Sequence, residues 1–171
     1  MPKSQPVAGS PAVLNGEEPL SPIEAICAKA DTLFRSACEC CRQHERLARM
    51  VEISTVDAEQ RTTTELVKLC DAALAKAAAA YEKCTARAHP NGDDEAWWHK
   101  ANALWYASRE YLRRNSESER ASRHLNPQSA TTFGELHMDY ELEASALLAL
   151  QQAVDSYRKS RPDAVDCMPR R

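Results

Sequence analysis

Apolar and small residues recur in alternating steps of four and three through the first half of the chain. They fall at Ile23, Cys27, Ala30, Phe34, Ala37, Cys41, His44, Ala48 and Val51. That period predicts a helix with a coiled-coil-like seam on one face. Ser21, Pro22 and Glu24 provide a capping hydroxyl, a proline at the first helical position and a carboxylate at the third, so this helix spans about 22–53. A second series, Thr63, Val67, Cys70, Leu74, Ala77, Tyr81 and Cys84, is out of phase with the first, whose extension selects Glu65 and Ala72 instead. A turn near Ser54 to Asp57 accounts for the break, and a second helix over about 57–88 follows.

His89, Pro90, Asn91, Gly92 and Asp93 then interrupt the pattern, after which Trp97, Ala101, Leu104, Ser108, Tyr111 and Leu112 form a third stripe. This helix begins near 93 and ends at either 115 or 124, because 116–124 is polar all round while Asn126-Pro127 is the first hard stop. Thr132 and Glu135 form a second capping box, which predicts a fourth helix over 133–160. Its seam runs through Leu136, Tyr140, Glu143, Leu147, Leu150, Val154 and Tyr157 to the stop at Arg161-Pro162. Four helices with short connections predict an all-α, antiparallel up-down-up-down four-helix bundle over 21–161. Residues 1–20, rich in Pro, Gly and Ser, read as a disordered tail, and 162–171 as a C-terminal tail.

The first hairpin carries a register in its cysteines. Cys27 and Cys41 have the same spacing as Cys70 and Cys84, and reflection about a point between Thr55 and Val56 exchanges the two pairs. The same mirror sets Ala30 against Tyr81, Phe34 against Ala77 and Ala37 against Leu74, a large side chain opposite a small one each time. Cys27 is therefore expected nearest Cys84, and Cys41 nearest Cys70.

Composition narrows the class. A chain of 171 residues with 43% hydrophobic content and only four glycines suits one helical domain. Its formal charge of -3, with signs interspersed, offers no basic face for nucleic acid. No apolar run reaches the length of a membrane span, and no secretory or transit pattern opens the chain, so a reducing cytoplasm is the expected compartment. No cofactor motif occurs, no residue stands out as catalytic, and no motif names a family.

Three features could carry chemistry. Cys27, Cys41, Cys70 and Cys84 could act in redox or thiol-metal chemistry, although cysteine also packs as a small hydrophobe in a narrow alanine-rich seam. His44, Asn115 and Glu143 fall in the seams at one expected level and form a polar layer, either a register device or a ligand site. A ferritin-like di-metal centre needs Glu-x-x-His motifs, and Glu95 and His99 are spaced by four instead. Finally, Trp98, Trp105 and Arg109 edge the third stripe, and Met138 and Leu142 lead a second stripe on the fourth helix, opposite its seam. A helix apolar on two sides wants two neighbours. The expected function is therefore non-enzymatic, a protein partner or a homo-oligomer bound through Trp98, Trp105, Arg109, Met138 and Leu142. The thiol bundle is the second expectation, and a small-ligand or metal-dependent enzyme centred on His44 and Glu143 the third.

Overall fold

Ser21 caps the first helix as its sequence requires: its backbone N–H donates to Glu24 Oε2 at 2.8 Å, and Glu24 N–H donates to Ser21 Oγ at 3.2 Å. The computed structural model describes residues 20–53, 57–86, 95–124 and 130–161. These form α1 (Pro22–Ile53), α2 (Asp57–Thr85), α3 (Glu95–Arg123) and α4 (Ala130–Ser160), with no strand among the described residues. The expected tails lie outside them, apart from Leu20. So do the 54–56 turn, the breakers at 89–93 and Cys167.

The helices make an antiparallel four-helix bundle. α1 packs chiefly on α2 and α3 on α4, while α1–α4 and α2–α3 contacts close the ring. The third helix takes the longer of its two expected lengths. α4 starts at Ala130, so Thr132 lies inside the helix and is not its cap.

The core is built from the predicted stripes, with Ile26, Ala30, Leu33, Phe34 and Ala37 packing with Leu74, Ala77, Leu104, Leu150 and Val154. Burying each Leu, Ile or Phe contributes about 1.5–3 kcal/mol. Tyr81, Tyr111 and Tyr157 are also fully buried, and a buried phenol needs a partner for its hydroxyl. Each finds one on a neighbouring helix. Tyr81 donates to Asn102 Oδ1 at 3.1 Å, Tyr111 to Asp71 Oδ1 at 2.9 Å and Tyr157 to Asp31 Oδ1 at 2.7 Å. The three pin α2 to α3, α3 to α2 and α4 to α1.

The hairpin register is visible in Cys40 Sγ, which donates to Asp71 Oδ1 at 3.2 Å, a pair symmetric about the mirror point between residues 55 and 56. The expected seam of α1 needs correction at both ends. Ile26 is buried in place of Ile23, and Met50 in place of Val51, which is 59% exposed. Toward its C-terminal end α1 buries Gln43 and Met50 and turns toward α2, where Thr63 Oγ1 meets Met50 Sδ at 3.2 Å.

α4 also departs from expectation in its first turns. Gln151 donates to Glu45 Oε1 at 2.8 Å and Arg158 reaches Cys38 Sγ at 3.7 Å. Both pairs belong to one antiparallel register, in which the last residue of α1 lies level with Glu143. The turns of α4 before that point have no α1 to pack against. Tyr140, expected in the seam, is accordingly 48% exposed.

Candidate functional site

Residues four apart on a helix share a face, and the bundle interior joins two such pairs from different helices. Cys40 and His44 come from α1, Tyr111 and Asn115 from α3, and Asp71 of α2 stands between them. Asp71 Oδ1 accepts from Cys40 Sγ at 3.2 Å and from Tyr111 Oη at 2.9 Å, and its Oδ2 accepts from Asn115 Nδ2 at 2.8 Å. His44 Nε2 lies 2.5 Å from Tyr111 Oη and 3.8 Å from Asp71 Oδ1, with the rings edge to face. The phenol has one proton and gives it to Asp71, so His44 Nε2 is left to donate to the phenol oxygen.

Burial, followed by the neighbouring Asp71 carboxylate, pushes the Cys40 thiol well above the ordinary range. Burial also raises the Tyr111 phenol, with the Cys40 thiol and then Asp71 adding to it. Both groups are held protonated, as donors to Asp71.

A groove of about 390 Å³ opens beside this cluster, where α1 has ended. Asn115, Ser118 and Glu143 line its floor, with Lys68, Glu119 and Arg123 around it. Ser118 Oγ donates to Glu143 Oε2, and Ser122 Oγ pairs with Tyr140 Oη at 2.7 Å. Asn115 thus touches both the groove and Asp71.

Of the expected polar layer, the structure brings His44 and Asn115 into one cluster, linked through Tyr111 and Asp71. Glu143 is half-buried and pairs with Ser118; it lines the same groove as Asn115, and the α1–α4 register sets it level with the end of α1 and not with His44. The helical stripes alone assign no role to Asp71, Cys40 or the Tyr111 hydroxyl. The signal for Asp71 was present, because the mirror that pairs the cysteines also pairs Cys40 with Asp71.

The cysteines divide. Cys27 and Cys84 are half-buried and both lie near Tyr81, whose phenol is raised by burial and then by these two thiols. Cys41 does not face α2. It is buried with Cys38 in a second groove against Val154, Asp155 and Arg158 of α4, while half-buried Cys70 lies near Glu39 and Asp71. Cys40 replaces Cys41 in the α1–α2 seam, because neighbouring residues on a helix point about 100° apart and two helices compete for this face. All six described cysteines are free thiols.

On the outer faces, Trp98 is half-buried and stacks near Tyr81, with centroids 6.2 Å apart. Trp105 is half-buried too. Arg109 lies 5.1 Å above its ring and also pairs with Glu82 of α2 at 3.2 Å, which ties this edge into the α2–α3 contact. Trp105 Nε1 is buried with no hydrogen-bond acceptor among the described residues. Met138 and Leu142 are 62% and 39% exposed.

No protein-family model, curated protein or solved structure matches this chain. No described helix is long and apolar enough to cross a membrane.

Proposed function

We propose that the protein is a non-enzymatic assembly module in which two copies of the chain pair antiparallel through the outer face of α4. The observation that carries this reading is the pair Met138 and Leu142, exposed on a helix whose inward face is already used by Ala146, Leu150, Val154 and Tyr157. With Leu148, 55% exposed further along the helix, they make apolar surface that a monomer leaves in water. The stripe continues through exposed Ser145 and Ala149 to Ala153, half-buried at the edge of the core, at helical spacing.

Its two halves differ in size, large at Met138 and Leu142, small at Ala149 and Ala153. An antiparallel copy sets Met138 against Ala153 and Leu142 against Ala149, so each large side chain meets a small one. Charge follows the same direction, since exposed Glu135 flanks the stripe at one end and exposed Lys159 at the other. Such a two-fold contact closes on itself and stops at a dimer.

Sedimentation equilibrium of the full chain tests the proposal. Wild type is expected to dimerise, and Leu142→Glu to be monomeric with unchanged helical circular dichroism. A wild type that stays monomeric at millimolar concentration overturns it, as does a dimer that Leu142→Glu leaves intact.

A further inference from the structure

We infer that Cys40, His44 and Asp71 form a site for a divalent transition-metal ion of the zinc or cobalt type, with the Tyr111 hydroxyl at the fourth corner. This goes beyond the assembly reading and stands independently of it. The three ligand atoms, Cys40 Sγ, His44 Nε2 and an Asp71 carboxylate oxygen, all lie within 4.8 Å of one another. Two of the edges are 3.2 Å for sulfur to oxygen and 3.8 Å for nitrogen to oxygen. Zinc bonds of about 2.3 Å to sulfur and about 2.0–2.2 Å to nitrogen and oxygen imply tetrahedral edges of roughly 3.3–3.6 Å. These two edges therefore need shifts of only a few tenths of an ångström, while the Tyr111 hydroxyl, 2.5 Å from His44 Nε2, must move further out to take the fourth corner. No other group of three such ligands converges among the described residues.

The donor set decides the kind of ion. One sulfur, one imidazole nitrogen and one carboxylate oxygen suit zinc or cobalt, whereas magnesium and calcium require oxygen ligands. The supports are also present. Cys40 and His44 project from one face of α1, and Asn115 Nδ2 holds the second Asp71 oxygen at 2.8 Å, which aims the first at the cluster. Tyr111 Oη contacts both His44 Nε2 and Asp71 Oδ1, so it faces the same point as the three ligands.

Without the ion these atoms hydrogen-bond to one another. When the ion enters, the Cys40 sulfur–hydrogen bond breaks, the sulfur–metal bond forms and the proton leaves to solvent. The His44 hydrogen that Nε2 donates to Tyr111 moves through solvent to Nδ1, which frees the Nε2 lone pair for the metal. The groove floored by Asn115 and Glu143 gives a route from solvent, with Glu143 and Glu119 attracting a cation and Lys68 and Arg123 opposing it.

The test uses the full chain, stripped with a chelator and titrated with cobalt(II) under reducing, anaerobic conditions. One equivalent is expected to produce a sulfur-to-cobalt charge-transfer band and visible bands of tetrahedral intensity, both abolished by zinc(II). Cys40→Ser should remove the charge-transfer band, while Cys41→Ser keeps it. Asp71→Asn, similar in shape, is the second variant and should weaken cobalt binding at least tenfold, with circular dichroism checking that each variant folds. Absence of the bands in wild type overturns the inference. So does binding that Cys41→Ser abolishes, or that both Cys40→Ser and Asp71→Asn leave unchanged.

Discussion

At the scale of single residues, the interior is decided by how buried polar atoms find partners. Tyr111 places a hydroxyl where no water is needed, between His44 and Asp71. Replacing Tyr111 with Phe keeps the ring and removes that hydroxyl, leaving Asp71 with one donor fewer and His44 Nε2 without its acceptor. A group left unsatisfied in this way costs about 1–3 kcal/mol. Urea unfolding of Tyr111→Phe should show a loss of that order with an unchanged slope. A midpoint equal to wild type would mean that the hydroxyl contributes nothing to stability.

At the scale of elements, the α1–α2 hairpin shows how far a period can be read. Its mirror correctly set Ala30, Phe34 and Ala37 among Tyr81, Ala77 and Leu74 in the core. It failed for Cys41, because α4 also crowds that side of α1 and takes Cys41 into its groove. Cys27 and Cys84 border the same phenol and should be the first thiols to join under mild oxidation. Peptide mapping is expected to recover Cys27–Cys84 ahead of any Cys41–Cys70 link. Such a bridge would restrict the unfolded chain and add about 2–4 kcal/mol, less any strain. Predominant Cys41–Cys70 linkage would refute the placement of Cys41 against α4.

At the scale of the whole molecule, the buried thiols and phenols set the response to pH. Burial, with the Cys38 thiol adding to it, pushes Cys41 from its ordinary value of 9.0 up to about 12. Burial likewise raises Cys40, Tyr81, Tyr111 and Tyr157, the last with help from Asp31. In the unfolded chain thiols release protons near 9.0 and phenols near 10.0, while the folded protein retains them. The folded state then binds more protons, so stability is complete below pH 9 and falls as pH rises from there. The urea midpoint should be level between neutral pH and about 9 and decline steadily above it. Glu110, lowered to about 2 by hydrogen bonds from Arg113 and then Arg114, is solvent-exposed, so its loss on the acid side is small. A midpoint that is flat across the alkaline range would contradict the burial of these groups.

The sequence by itself determined the elements and most of their inward faces. The Ser21–Glu24 cap and the stripes from Thr63 to Cys84 and from Trp97 to Tyr111 are local, because helical period and hydrogen bonding within one turn depend only on near neighbours. Only the tertiary structure decided what those faces meet. A period fixes where a side chain points from its own axis and says nothing of how far a neighbouring helix is displaced along its length. That displacement brings Asp71, distant in sequence from both His44 and Tyr111, within reach of the two, with the Tyr111 hydroxyl bridging them. It also carries the first turns of α4 past the end of α1, which leaves Tyr140 in solvent and opens the groove beside Glu143.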